Sequence, residues 1–422
     1  MKNTSVLVTG TNMLCSLGMT NHEVWQAALS GSVPEPSRRS YPFPDGTRLE
    51  YPVFSLPDFD LSDWLEEKSV RWLAENHLLD DRDFCMLLLS IRQALEDASF
   101  RITGGSRIGL VIGHENLGAV KLTDKFIRYQ DAAPQTDQAE KMPLFNEFRR
   151  EFFNIQTFPY LFYLAQLLGV NGPGYVVNNA CASGLYALEL GRMLIASGSA
   201  DLVIVACSDY AHASEYLWLQ EKGFVSGQMK IRPFDLHRDG SILGDGAGTI
   251  ILESAEHAAG RPAEPLAVYR GGAFLQEHWH MTLPDVSRHS YASVITEAAG
   301  HGTAPEIDVI VPHGSGSTLW DRYEANEIHR AFGRLNRPVP AVTSFKGYFG
   351  HLLGASAMIE TVLLLHCMKR EILLRTLNYE QADPRVQLPV QTQTARKKTI
   401  SALKSVPAYG GFHAAVLFNK PD

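Results

Sequence analysis

Short apolar runs rich in β-branched residues recur along the whole chain, at Val6–Val8, Ile108–Ile112, Tyr175–Val177, Leu202–Val205, Thr249–Leu252, Val309–Val311 and Ala414–Leu417. Helical apolar periodicity occupies stretches between them, as at Phe84–Ala98, Gly184–Ala196 and Ala355–Met368. The alternation predicts an α/β protein with layered helices and strands. At 422 residues the chain can hold two domains or one large duplicated one. A polar stretch from Glu256 to Pro265, carrying Gly260, Pro262 and Pro265, places a boundary there, with residues 1–256 on one side, 257–422 on the other and a sheet in each.

Several function classes drop out on composition. The net charge of −8 is spread without long single-sign blocks, so nucleic acid is a poor partner. Five scattered cysteines with no CxxC pair argue against a disulfide framework or a zinc cage and fit a reducing cytoplasm. The first ten residues are too short for a signal peptide, and no apolar run approaches the length of about 20 residues that spans a bilayer. No membrane association is expected, and the glycine-rich turns lack the spacing of a nucleotide cradle.

Chemistry concentrates in three places. Cys181, in Asn178-Asn179-Ala180-Cys181-Ala182-Ser183-Gly184, follows a strand pattern and opens an apolar helix. A helix N-terminus offers free N–H groups and partial positive charge, which favour a thiolate and a nearby oxyanion, and Gly184 permits close backbone approach. Cys207, after another apolar run, has the setting of an ordinary buried thiol. His313 stands where the apolar run Val309–Val311 gives way to a glycine-rich loop, with Asp321 and Glu324 opening the next helix. Lys346 and His351 share a second glycine-punctuated turn, Thr343 to Ala355. In open α/β sheets, sites gather at such strand ends.

These blocks, in this order, together with Val6–Gly10, Arg232-Pro233-Phe234-Asp235, Arg238-Asp239-Gly240 and Gly244–Gly248, resemble the elongating β-ketoacyl-acyl carrier protein synthases almost from end to end. The resemblance implies a thiolase-like fold, with two similar α/β halves in an α-β-α-β-α sandwich, usually dimeric. It implies a decarboxylative Claisen condensation between an acyl chain on Cys181 and a malonyl-type extender. His313 and His351 would serve decarboxylation and condensation, and Lys346 would set protonation states nearby. Tyr409, Gly410 and Gly411 would form the gating loop and supply an oxyanion donor. Thr282, Ser315 and Ser317 would hold the phosphopantetheine arm of an acyl carrier protein, which is the substrate carrier; no bound cofactor or metal is expected. Lys68, Arg71 and Arg128, with Lys230 behind them, are candidates for docking that acidic partner.

The C-terminal loop departs from the family pattern. Pro407-Ala408-Tyr409-Gly410-Gly411-Phe412-His413 keeps only the glycine pair and a gate aromatic, which predicts a stiffer gate and altered chain selection. This leans the reading toward a specialised polyketide, polyene or modified fatty-acid pathway. Partner choice stays open between a homodimer and a heterodimer with a second ketosynthase-like subunit. The alternatives to condensation are a malonyl decarboxylase or acyltransferase using the same site, and a noncatalytic chain-length subunit. The aromatic stretch Phe145–Tyr163 is expected to pack in a helix pair or subunit interface, or else to line an acyl pocket.

Overall fold

The computed structural model describes residues 5–43, 45–116, 119–132, 155–300 and 306–421, without the side chains at 121 and 128–132. Every apolar run read from the sequence lies within a strand. The first part of the chain contributes β1 (Val6–Cys15), β2 (Ile108–Gly113), β3 (Gly174–Val177), β4 (Leu202–Asp209) and β5 (Gly246–Ser254). The second contributes β6 (Ala267–Gln276), β7 (Val309–Val311), β8 (Ala341–Val342), β9 (Ser401–Pro407) and β10 (Phe412–Asn419). The first set lies in the order β3-β2-β4-β5-β1 and the second in the order β8-β7-β9-β10-β6. Strand for strand these orders are the same. Strand directions repeat too: the second strand of each set is parallel to its neighbours, and the fifth is antiparallel to both of its own.

The two sets are not separate sheets, as the sequence had suggested. β1 and β6 pair antiparallel over Val6↔Tyr269, Leu7↔Val268 and Val8↔Ala267, which makes one ten-stranded sheet. Each is the edge strand of its set, and pairing satisfies backbone groups that would otherwise stay open.

The helices that matter here are α1 (Arg82–Asp97), α2 (Ser183–Ala196), α3 (Ala213–Glu221), α4 (Ser290–Gly300), α5 (Thr318–Arg334) and α6 (Leu353–Arg370). α1 covers the outer face of the first set, while α4 and α5 cover that of the second. α2 and α6 pack on each other in the middle layer, completing the α-β-α-β-α sandwich. α6 is buried on every side from Leu353 to Met368, so it carries no polar face, as expected for a helix inside a large core. No helix among the described residues is long and apolar enough to cross a membrane.

Close approach of the two middle helices depends on Gly184. A Cβ there would fall 2.9 Å from the Met358 backbone nitrogen. In a free helix, Gly→Ala is stabilising; here Gly184→Ala is expected to destabilise the fold by about 1–3 kcal/mol through overpacking, read from the midpoint of urea unfolding.

Of the aromatic stretch, Phe148, Phe152 and Phe153 lie outside the described residues. Tyr160 is buried and donates to Asp81 Oδ2 at 2.7 Å, whereas Phe158 and Phe162 are exposed.

Candidate active site

The nucleophile candidate sits on a tight turn between β3 and α2. Ala180 adopts φ 51° and so turns the chain sharply just before Cys181. Ser183 locks that turn: its hydroxyl accepts from the Asn179 N–H at 2.9 Å and donates to the Ala180 carbonyl at 2.6 Å.

Two other loops bring the histidines to the same place. His313 leaves the carboxyl end of β7, and Glu324 of α5 fixes its loop by accepting from the His313 and Gly314 N–H groups at 2.6 and 2.7 Å. Glu324 is itself held by the Tyr291 hydroxyl at 2.8 Å. Asp321 accepts from the Gly316 N–H at 3.1 Å and from the Phe234 N–H at 2.7 Å, joining this loop to the Arg232–Asp235 segment. His351 is anchored by its backbone, donating to Ile242 O at 2.8 Å and accepting from Gly244 N at 3.1 Å. As a result, Cys181 Sγ and ring nitrogens of His313 and His351 lie within 4.8 Å of one another. The two imidazoles meet nearly edge to face, at 86° and 5.1 Å between centroids.

Lys346 does not stand alone. It pairs with Glu360 of α6, whose other oxygen lies 2.7 Å from Lys404 Nζ, and all three side chains are fully buried. Lys404 also donates to the carbonyls of Val311, Pro312 and Ser405 at 3.1–3.3 Å. The charge of this cluster adds to the effect of burial at the site. Burial, reinforced by the Lys346 charge, holds His313 and His351 well below the usual histidine range, so both are neutral near pH 7.

The thiol runs against the sequence expectation. Burial, followed by the Glu115 carboxyl beside it, pushes Cys181 well above the ordinary cysteine range, with Lys346 opposing. Loss of water outweighs the helix-terminus field, because a thiolate has little else here to solvate it.

Cys181, His313 and His351 line a cavity of about 320 Å³ with Glu115, Asn116, Glu215, Trp218, Leu219, Phe224, Ser315, Ser317, Trp320, Leu353 and Tyr409, whereas Lys346 is not among its lining residues. Ser315 and Ser317 are thus on the wall of the same cavity as Cys181. Thr282 is not among the residues lining the cavity: its N–H donates to His280 Nδ1 at 3.0 Å in a neighbouring turn. That turn touches the Tyr409–Gly411 loop through Gly410 N–H, which donates to the Met281 carbonyl at 2.7 Å. The Tyr409 ring is boxed by Trp218, Phe224 and Trp320, with centroids 5.5–5.8 Å away. Gly411, at φ 73°, allows the loop to press on β6, since a Cβ would lie 2.2 Å from the Glu277 carbonyl oxygen.

The docking candidates gain little. Lys68 and Arg71 are exposed, but each is paired with its own acidic neighbour, Glu66 at 2.7 Å and Glu67 at 2.6 Å. The Arg128 side chain lies outside those described, and Lys230 borders a separate hollow beside Arg375 and Glu380.

Sequence reasoning missed Glu115, Glu215, Glu360 and Lys404. Glu360 had left a signal, as the single acid in the apolar helix pattern Ala355–Met368; Glu115 had another, two residues past the end of β2. Lys404 and Glu215 had none, because a lysine in a polar-looking strand and an acid in a helix's first turn read as solvated.

Comparison with known proteins agrees with this geometry. The β-ketoacyl synthase N-terminal domain matches residues 72–258, which hold Cys181, and the β-ketoacyl synthase C-terminal domain matches residues 266–380, which hold His313, Lys346 and His351. The chain is 27% identical to 3-oxoacyl-acyl-carrier-protein synthase 2 of Vibrio harveyi over 98% of each chain. It is 32% identical over 267 residues to the putative polyketide β-ketoacyl synthase 1 of Streptomyces cyaneus, covering 61% of this chain and 63% of that one. A solved β-ketoacyl synthase from Burkholderia phymatum superposes with a TM-score of 0.81 at 23% identity, over 99% of this chain and all of the other. A type II polyketide ketosynthase solved in complex with its acyl carrier protein gives the same TM-score at 22% identity, over 99% and 100%. Matched by both family domains, with Cys181 in the range of one and His313 and His351 in that of the other, the chain belongs to the β-ketoacyl synthase family of thiolase-fold, carbon–carbon bond-forming enzymes.

Proposed function

We propose that Cys181 carries the acyl chain and that His313 and His351 act on the extender in the family's decarboxylative Claisen condensation. The observation that carries this assignment is the convergence of one thiol and two neutral imidazoles in one buried cavity. Cys181 attacks the thioester of an acyl group delivered on the phosphopantetheine arm of an acyl carrier protein, and the arm leaves as a thiol. Malonyl-carrier protein then enters and loses carbon dioxide, and the resulting enolate oxygen accepts hydrogen bonds from the imidazoles, which are uncharged donors in a site short of water. The enolate carbon attacks the Cys181 thioester, the carbon–sulfur bond breaks, and β-ketoacyl-carrier protein departs.

For the oxyanion formed on the acyl carbon, the donors would be the N–H groups of Cys181 and Tyr409, since Gly410's is committed to Met281. Ser315 and Ser317 would hold the arm. Residues 1–256 would form the nucleophile-bearing half and 257–422 the histidine-bearing half, a division supported by the repeated strand order and by the changeover of the two family domains between residues 258 and 266. The carrier protein is the first partner, and a second ketosynthase-like subunit, identical or not, is the other. Retention of Cys181 speaks against a noncatalytic chain-length role.

Incubation of the purified protein with acyl- and malonyl-carrier protein should give acylated enzyme by intact-protein mass and then a β-ketoacyl product. His313→Ala should still acylate but release carbon dioxide about 100-fold more slowly. Carbon dioxide without product would make the protein a decarboxylase, and no loading at all would overturn the assignment of Cys181 as the acyl carrier.

A further inference from the structure

The cavity contains two carboxyl groups that condensation does not use, and they are not equivalent. Glu215 is fully engaged, accepting from Asn116 Nδ2 at 2.5 Å and from the His212 N–H at 3.1 Å, where it caps α3. Glu115 lies past the end of β2, with its carboxyl beside the Cys181 thiol. That carboxyl is hydrogen-bonded by the Cys181 thiol, and its Oε1 has no other partner among the described residues. The cavity surface near these groups includes Trp218, Leu219, Phe224 and Leu353, which suit a hydrocarbon chain.

Acylation takes the thiol proton out of that hydrogen bond, and a buried carboxyl left without a donor is costly when a purely alkyl chain fills the space around it. Cys181 fixes the carbonyl carbon of the loaded acyl group, so a carboxyl adjacent to Sγ faces the first few carbons beyond it. We infer that this ketosynthase selects acyl chains carrying a hydrogen-bond donor, a hydroxyl or an ammonium, within the first few carbons beyond the thioester, with Glu115 as the acceptor. Selectivity is the difference between a chain that donates to the carboxyl and one that leaves it without a donor. Burial holds the Glu115 carboxyl up at about 7, so near neutrality it can accept from a hydroxyl and an ammonium can draw it into the ionised form. The inference rests on the ketosynthase reading and deepens it by naming a substrate class.

The test loads the wild-type protein, and its Glu115→Leu and Glu115→Gln variants, from carrier protein bearing butyryl, 3-hydroxybutyryl or 3-aminobutyryl groups, and follows the acyl-enzyme mass over time. Wild type should load at least one donor-bearing chain about tenfold faster than butyryl. Glu115→Leu should erase that ratio, and Glu115→Gln should keep a preference for hydroxyl while losing one for ammonium, which separates the two donors. Butyryl loading as fast as both others in the wild type, or an unchanged ratio in Glu115→Leu, would overturn the inference while leaving the ketosynthase reading intact. Loading of none of the three chains would overturn both.

Discussion

Cys181→Ala is expected to abolish acyl loading while leaving the protein folded and still able to release carbon dioxide from malonyl-carrier protein. The turn holding residue 181 is fixed by Ser183 and by the backbone of Ala180, not by the thiol. Sγ faces the cavity, so its removal enlarges a space that already exists. Stability should therefore change by no more than about 1 kcal/mol. Without a nucleophile no covalent intermediate can form, and condensation should fall by at least about 1,000-fold. His313 and His351 remain, neutral and in place, so the enolate-forming half of the reaction should persist. Intact-protein mass, headspace carbon dioxide and urea unfolding read the three claims separately. An acylated Cys181→Ala protein would remove Cys181 from the mechanism.

A second large effect should follow from Glu360→Gln. Glu360 lies between Lys346 and Lys404 and pairs with both, and all three side chains are completely buried. Glutamine keeps the shape and removes the charge, leaving two ammonium groups facing each other inside the middle layer. Breaking a buried ion pair in this way costs about 3–5 kcal/mol, measured as a lower urea midpoint with unchanged slope. Burial already draws Lys404 below the ordinary lysine range, with Glu360 opposing that shift, so removal of the acid should push it down further. If the variant stays within about 1 kcal/mol of wild type, at least one of these lysines is neutral in the native protein. The triple replacement Lys346→Met, Glu360→Leu, Lys404→Met should recover most of the loss, because an apolar cluster of similar volume needs no desolvated charges.

Much of this protein is legible along the chain. The apolar runs become strands because strands covered on both faces must be apolar throughout. The three strongest helical patterns become α1, α2 and α6, and the glycine-punctuated turns of Cys181, His313 and His351 announce themselves by residue type and position. The strands β6, β8 and β9 do not. β6 carries a glycine pair, β8 has two residues, and β9 buries Lys404, so each lacks the local apolar signature, and each forms because its neighbours in the sheet satisfy its backbone.

What the sequence by itself determined was the layered α/β class, the candidate nucleophile and the two histidines, since local patterning and turn chemistry act over a few residues. Tertiary structure alone decided how they work together. It merged two five-strand sets through β1 and β6, enclosed Lys346 with Glu360 and Lys404, brought Glu115 against Cys181, and kept Thr282 out of the cavity lining. Each of these outcomes depends on groups from segments far apart in the chain. Edge-strand pairing governs the first, and desolvation with charge proximity governs the Lys346 cluster and the approach of Glu115 to Cys181, quantities that no local pattern encodes.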